Sequence, residues 1–473
     1  MFEQLLNKFE EVGIVEQVNG SVVTVSGLPS VRMREIVVLE DGKTGVVFAL
    51  KEGVIQILIF SPTPVRIGEK VARSGCFPAY KPDENLLGKT ISPVPNVFSD
   101  DKNIYPYETA PLGVKDRTLI NQQFHTGVML VDMLITLGKG QKELVIGDRK
   151  TGKTSFVQQS VISHAMSGGI CVYTAIGKQS NEIKRMENYF REIGIIEKVI
   201  IVLSQASDSA AEIFFAPYAA MAIAEYHRDL GKDVLVVFDD LSAHAATYRE
   251  ISLAAGRFPG RNAYPPDMFY VHASLLERAG SYKKGTITCL PIADTALGDI
   301  SGYIYTNLMA ITDGHLYFDL ELYNAGQRPA ISPFLSVTRV GRQTQSTLGQ
   351  EISRRLTRFL VQVKEIQDLA HFGSGLSEAN QKTLSLGKRI YTILDQRDEQ
   401  IAHVNLGYIL FAGVWGNIWV EKTEEQLHEI RSKAINRYYS QPNFKQIVDN
   451  MIEKSSNLND LIANLVQAGE MFK

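Results

Sequence analysis

Apolar and polar residues alternate along the first eighty positions, and the rhythm then changes twice. In "GIVEQVNGSVVTVSGL" two alternating stretches flank Asn19-Gly20, a dipeptide suited to a tight hairpin turn. "REIVVLEDGKTGVVFAL" repeats the arrangement around Asp41-Gly42, and "GVIQILIF" adds a further strand. Short strands at this spacing predict a small closed β-barrel over residues 1–76. Residues 77–112 lose the periodicity and carry Pro78, Pro82, Pro93, Pro95, Pro106 and Pro111, which reads as a connector laid on a surface.

From about 113 to 345, short runs that are apolar throughout ("ELVIG", "GICVYTAIG", "KVIIVLS", "DVLVVFDD", "GTITCLPIA") alternate with amphipathic stretches such as "TSFVQQSVISHAMS". Strands without polar alternation are covered on both faces. Their alternation with helices predicts a mainly parallel sheet between helical layers, within a domain over residues 77–345. Beyond Gly349 the strand signals fade, and "QEISRRLTRFLVQVKEIQDLAHFG" opens a helical domain over residues 346–473.

Composition narrows the classes open to such a protein. Its 473 residues, 45% hydrophobic, suffice for two or three cores. A net charge of -3 with mixed signs argues against a general nucleic-acid coat. Cys76, Cys171 and Cys289 are widely spaced and form no CxxC pair, so a disulfide framework or zinc site is not expected and a reducing compartment fits. The start, "MFEQLLNKFEEVG", lacks the basic end and apolar core of a signal peptide. No run approaches the roughly 18 apolar residues a membrane span needs. Any membrane attachment would therefore run through another component.

The chemistry sits after the run Glu143-Leu144-Val145-Ile146. Gly147, Asp148, Arg149, Lys150, Thr151, Gly152, Lys153 and Thr154 satisfy G-x-x-x-x-G-K-[ST] between a predicted strand and a predicted helix. Glycines let the backbone curl so that successive N–H groups point at phosphate oxygens, and the helix adds its N-terminal dipole. In this pattern Lys153 reaches the outer phosphates and the Thr154 hydroxyl is a Mg2+ ligand. "DVLVVFDDLSAH" offers the metal's second partner, because Asp239 stands at a strand's carboxyl end, where α/β sheets present ligand groups, and would hold the ion through water. Taken alone it would more often be an acidic turn.

"GDRKTGKT", "FDDLSAHAATYREISL", "GRFPGRNAYPPDMFY" and "LLERAG" together resemble the alpha subunit of rotary F-type ATP synthases. So do "TNLMAITDGHLYFDLELYNAGQRPAISPFLSVTRVG" and "AHFGSGLSEANQKTLSLGKRI", and the likeness runs from about Val12 to the C-terminal helices. The resemblance implies an α/β fold in three parts: a small N-terminal β-barrel, a central RecA-like P-loop NTPase domain with a mainly parallel sheet, and a C-terminal helical bundle. It implies ATP or ADP with Mg2+ as cofactors, held without turnover. It implies a beta-type catalytic subunit as partner in an alternating three-plus-three ring around a central rotating stalk, joined indirectly to a membrane ion-translocating sector. No nucleic-acid partner is expected. The location implied is cytoplasmic, peripheral on the inner face of the cell membrane through the complex.

Roles follow where positions match. Tyr323, Arg328 and Pro329 in "LELYNAGQRPA" stand in the family's adenine pocket, with Tyr323 where a Phe is usual. Gln396 matches a glutamine near the base, and a second such glutamine is replaced by Asp398. Arg339 in "LSVTRVG" matches the arginine that alpha extends into the neighbouring catalytic site, where a planar guanidinium can spread over γ-phosphate oxygens. Without the resemblance, Tyr323 and Gln396 would read as ordinary packing and surface residues, and Arg339 as an arginine capping a strand end or pairing with a carboxylate at an interface.

Hydrolysis needs a group that polarises water. In beta-type subunits it is a glutamate just after the glycine ending the strand beside the phosphate loop, and in alpha-type subunits usually a glutamine. Here Lys178 follows Gly177. An ammonium, with a reference pKa of about 10.4, has no lone pair for the water's proton. Lys178 can neutralise a bound nucleotide but cannot act as the base. A shift of one residue would bring Gln179, which is no base either, and Glu182 is the only nearby carboxylate.

Two departures qualify the resemblance. Lys150 stands in the loop where alpha subunits commonly have glutamine, so that with Arg149, Lys153 and Lys178 the phosphates meet an unusually cationic surrounding; tight, slowly exchanging nucleotide is expected. Only about ten residues precede the barrel, where the family has a helical extension that docks the stator. That leaves a repurposed head, hydrolysing ATP for mechanical work, as an alternative to a synthase. A stand-alone hexameric motor of the secretion or RNA-translocating kind is a further alternative. It would need its own glutamate, and the RNA type a basic, aromatic barrel face.

Overall fold

The computed structural model describes residues 1–81, 84–95, 104–371, 377–397 and 400–472. The protein divides into two compact units, and the division crosses the three regions read from sequence. One comprises Met1–Thr118, Gly168–Thr295 and Asp299–Thr312, the other Leu119–Ser167, Ala296–Gly298 and Asp313–Lys473.

In the first unit the expected barrel is present. Strands β1 (Gly13–Asn19), β2 (Val22–Ser26), β3 (Ile36–Leu39), β4 (Thr44–Lys51), β5 (Val54–Ile59) and β6 (Lys70–Arg73) close in the order β1-β2-β5-β4-β3-β6. Gly20 and Gly42 take the positive φ angles, 59° and 89°, that the two short turns demand. Alternate residues such as Val23, Val25, Val37, Val47, Ile57 and Val71 fill the interior. The helix Phe2–Phe9 packs Phe2 against Val38 and Ala72 on the barrel's outside.

The same unit holds a parallel sheet. Thr286–Thr295, Asp233–Asp239, Ile170–Lys178 and Val199–Gln205 lie side by side in that order. Almost every residue in these strands is buried, as continuous apolar runs require. Ile170–Lys178 has Asp233–Asp239 on one side and Val199–Gln205 on the other, so the strand order reverses around it; ligand groups gather at the carboxyl ends beside such a reversal.

The Pro-rich connector departs from expectation. Thr90–Ile91 joins the sheet in parallel beside Val199–Gln205, and Ala79–Tyr80 pairs with Tyr105–Pro106. Tyr107 is fully buried, its hydroxyl on the Pro93 carbonyl and its own carbonyl 2.6 Å from Arg278 Nη1. Proline removes a donor only at its own position, and the residues between prolines still pair.

In the second unit Glu143–Asp148 runs parallel to Gly314–Phe318, which pairs antiparallel with the two-residue strand Val337–Thr338. Helices Thr347–His371, Glu378–Leu394, Val404–Trp415, Glu424–Ser440, Pro442–Lys454 and Leu458–Ala468 form the C-terminal region that the helical periodicity predicts.

Candidate functional site

The phosphate loop begins where its strand is most crowded. A Cβ on Gly147 would lie 2.3 Å from the Phe318 carbonyl oxygen, so no other residue fits there. The backbone then turns through Lys150 (φ 64°) and Gly152 (φ 97°) into the helix Lys153–Met166, whose first N–H groups receive no side-chain cap. Uncapped N–H groups at a helix start present an anion site. The Thr151 hydroxyl donates to the Asp148 carbonyl at 2.7 Å, and the Asp148 carboxylate accepts from Gly298 N–H at 2.9 Å. Lys153 is buried with its ammonium held by the Gly147 and Asp148 carbonyls at 2.8 and 2.6 Å. Arg149, Lys150 and Thr154 are exposed around the loop.

A cavity of about 170 Å³ is lined by Thr151 and Gly152 of the loop together with Tyr323, Arg328, Pro329 and Gln396. The four residues assigned to the base thus share one cavity with the loop. The Arg328 guanidinium lies 3.6 Å from the Tyr323 ring centroid and donates to the Tyr323 carbonyl at 2.8 Å, which fixes the ring's orientation. Gln396 lines the cavity differently from a base-reading amide. Its Oε1 accepts from Met129 N–H at 2.6 Å, and its Nε2 donates to the Gly127 and Gln400 carbonyls at 2.9 and 2.8 Å. Both amide hydrogens are thus engaged, while Oε1 keeps a second lone pair. Asp398 lies outside the described residues.

Lys178, at the end of its strand, meets Asp239 at the end of the neighbouring strand. Ala175 is in register with Asp239, and the Lys178 strand runs three residues further. The ammonium is 2.7 Å from Asp239 Oδ1 and 3.4 Å from Asp240 Oδ2. The Tyr173 hydroxyl donates to Asp239 Oδ2 at 2.5 Å, and Asp240 Oδ1 caps the helix Leu241–Ala254 through Ala243 N–H at 2.7 Å. Burial alone would lower the Lys178 ammonium, but the Asp239 and Asp240 carboxylates outweigh it and hold it above its ordinary value. Two carboxylates share one cation, and burial pushes the Asp240 carboxyl up against the pull of Lys178 and the Ala243 N–H.

Asp239, expected to hold the divalent cation that the family implies, has one protein partner on each oxygen, an ammonium on one and a hydroxyl on the other, and each oxygen keeps a second lone pair for such an ion or its water. Gln179, the residue that a one-position shift would substitute, is exposed at the cap of the next helix, and Glu182 is exposed in that helix's first turn.

Arg339 is exposed immediately after Val337–Thr338. Its N–H donates to the Asp313 carbonyl at 3.0 Å. Beneath it lies a polar cluster that sequence reasoning missed. Thr338 Oγ1 donates to the Thr136 carbonyl at 2.9 Å and accepts from Gln141 Nε2 and Gly341 N–H, each at 3.2 Å. Gln141 Nε2 also donates to Glu143 Oε2 at 2.7 Å. Glu143 is 0% exposed, and its Oε1 makes no hydrogen bond. Burial pushes its carboxyl well above the usual range, opposed by Gln141 and Arg339 and reinforced by Asp313. The one signal available was a Gln and a Glu placed at the entrance of an apolar strand.

Comparison with known proteins agrees with this arrangement. Residues 127–338 match the nucleotide-binding domain of the ATP synthase alpha/beta family, and residues 345–472 match the C-terminal domain of the same family. ATP synthase subunit alpha of Dictyoglomus thermophilum is 37% identical over 432 residues, 88% of this sequence and 85% of that protein. The Aquifex aeolicus subunit alpha is 35% identical over 464 residues, 94% of this sequence and 92% of its own. For Glaesserella parasuis the figures are 33% over 493 residues, 99% and 95%. Identity at this level along most of the sequence, on a fold built in the same three parts, makes the protein a member of the ATP synthase alpha/beta family of alpha-subunit type.

Proposed function

We propose that this protein holds ATP or ADP without hydrolysing it, in a ring alternating with a beta-type catalytic subunit to whose site it lends Arg339. The observation that carries the reading is Lys178 at the strand end where beta-type subunits place their glutamate. Two carboxylates keep it an ammonium, and an ammonium cannot accept a proton from water. Glu182, exposed in the first turn of the following helix, is the one acid near in sequence.

Holding is what the remaining residues are suited to. The loop N–H groups and Lys153 take phosphate oxygens, Arg149 and Lys150 add positive charge, and Tyr323, Arg328, Pro329 and Gln396 form the base cavity. When bound, Mg2+ would shield phosphate charge from the Thr154 hydroxyl side. Support for Arg339 as a trans-acting group comes from its exposure and from the pinned backbone on both sides of it. Such an arm meets charge that develops on a neighbour's γ-phosphate.

The same reading assigns a central rotating stalk as a further partner and a membrane ion-translocating sector reached only through it, on the cytoplasmic face, with no nucleic acid. No described helix is long and apolar enough to cross a membrane. The test is ATPase measurement on the purified protein and on the ring reassembled with its beta-type partner. The protein alone shows no turnover. Arg339→Ala slows the ring by about a thousandfold, whereas Lys153→Ala mainly loses retained nucleotide. Robust hydrolysis by the isolated protein overturns the reading.

A further inference from the structure

We propose that Gln159 reads the nucleobase: its amide hydrogen-bonds the amino-bearing edge of adenine in the cavity beside the phosphate loop, so that the site prefers adenine nucleotides to those whose purine lacks the exocyclic amino group. The inference rests on the nucleotide-holding role above, and every residue involved belongs to the second unit. The helix Lys153–Met166 and the glycine before it turn Gly152, Ser155, Phe156 and Gln159 onto one face, and all four line the cavity of about 170 Å³. With phosphates at the helix start, Gln159 stands about 9 Å further along the axis than Lys153. A ribose bridges that span and brings the base to it, beside Tyr323 and Pro329 of the same cavity.

Gln159 is only 6% exposed, yet its amide hydrogen-bonds to no described residue. Neither amide atom is sealed off, so donor and acceptor both open onto the cavity that the residue lines. Its neighbours differ. Ser160 and Ser163, buried on the same helix, donate to the Phe156 and His125 carbonyls at 2.9 and 2.8 Å. Around the cavity Thr151 donates to the Asp148 carbonyl, Arg328 to the Tyr323 and Gln327 carbonyls, and Gln396 to the Gly127 and Gln400 carbonyls, while Arg397 pairs with Asp395 at 2.6 Å. Gln159 is the buried polar side chain of this wall without a protein partner, and such a group favours a ligand that supplies one. The Phe156 and Phe318 rings, 5.7 Å apart, make part of the cavity apolar, which strengthens a hydrogen bond formed beside them. Adenine carries an amino donor next to a ring-nitrogen acceptor, and a glutamine amide meets both with its two polar atoms. A purine without the amino group leaves Gln159 Oε1 unpaired, and the site rejects it for that reason.

The experiment measures, by calorimetry or equilibrium dialysis, the affinity of the purified full-length protein for ATP, for purine riboside triphosphate (ATP without its amino group) and for inorganic tripolyphosphate. Wild type is expected to bind the amino-free nucleotide about tenfold more weakly than ATP. Gln159→Met keeps the length and helix-forming tendency without the amide. It binds ATP about tenfold more weakly than wild type does, and its affinities for the two nucleotides lie within about threefold of each other. Tripolyphosphate has no base and binds both proteins within about threefold, which separates base reading from damage to the phosphate loop; circular dichroism checks that the variant folds. Wild-type affinities for the two nucleotides within about threefold of each other overturn the inference, and this comparison decides alone if Gln159→Met does not fold. A Gln159→Met variant that keeps the wild-type preference, or that loses tripolyphosphate along with ATP, overturns it too. Failure of wild type to bind either ATP or tripolyphosphate would instead overturn the nucleotide-holding role.

Discussion

Replacing Thr338 by valine removes one oxygen at the root of Arg339 and leaves the side chain's shape. That oxygen makes three hydrogen bonds, to the Thr136 carbonyl and from Gln141 Nε2 and Gly341 N–H. It is the main tie of a strand only two residues long, paired at Gly314 and His315 alone. No side chain at position 341 can substitute for it, because a Cβ on Gly341 would lie 1.4 Å from the Thr136 oxygen. Gln141 keeps its bond to Glu143, so its amide is not orphaned. The loss to stability is therefore about 1–2 kcal/mol rather than the about 3 kcal/mol that three independent bonds would suggest. The larger effect falls on rate, since displacing a catalytic group by about 1 Å can cost about a hundredfold. We expect the reassembled ring's kcat to fall about 10- to 100-fold, less than for Arg339→Ala, with KM and the nucleotide retained by this subunit unchanged. Thr338→Ser keeps the hydroxyl and recovers most of the rate. A Thr338→Val ring turning over at the wild-type rate, beside a crippled Arg339→Ala ring, would refute the claim that this hydroxyl positions the arm.

Two further predictions concern the first unit's core. His244 is fully buried against His272 and the Phe214 carbonyl, and burial holds its pKa down to about 4. An unfolded histidine titrates at about 6.5, so between those values the unfolded state binds more protons and stability falls as pH falls; the loss from His244 reaches about 2 kcal/mol by about pH 5. Urea midpoints at pH 8 and pH 5 measure it, and a His244→Gln variant that loses as much as wild type would exclude His244 as the source. Arg278, 1% exposed, grips Glu225 through Nε and Nη2 at 3.0 and 2.6 Å. Arg278→Met leaves that buried carboxylate only Arg228 Nη1 at 3.8 Å and destabilises by about 3 kcal/mol, whereas adding Glu225→Leu recovers part of the loss; calorimetric Tm values of the two variants decide it.

Local features were legible in the sequence where a segment holds its own reason. The phosphate loop declares itself because Gly147 and Gly152 answer backbone needs that no distant residue alters. Val23 and Val25, and Ile55, Ile57 and Ile59, fall at alternate positions because that face of each strand is interior, and the central strands do not alternate because neither face is exposed. What stayed hidden depends on which strands are neighbours. Gln141 and Glu143 look like the polar start of a strand, and only Thr338, about two hundred residues on, turns them into a buried network. That Gln396 is itself held by Gly127, Met129 and Gln400 shows only once the chain is folded.

Lys178 is the clearest case of both limits. Read in sequence, it removes a base, and Asp239 separately offers a metal ligand. Strand order joins the two facts, because Ile170–Lys178 is followed by a strand on one side and then by Asp233–Asp239 on the other, which brings Asp239 next to it. A catalytic site must let its metal and nucleotide come and go with each turnover, and a tethered ammonium on the metal's carboxylate would obstruct that cycle. A site that only holds nucleotide has the opposite need: its buried carboxylates require a counter-charge at all times, or they stand unpaired. A lysine on the neighbouring strand meets that need without the entropy cost of capturing an ion. On this reading one side chain both silences hydrolysis and stabilises the silent state.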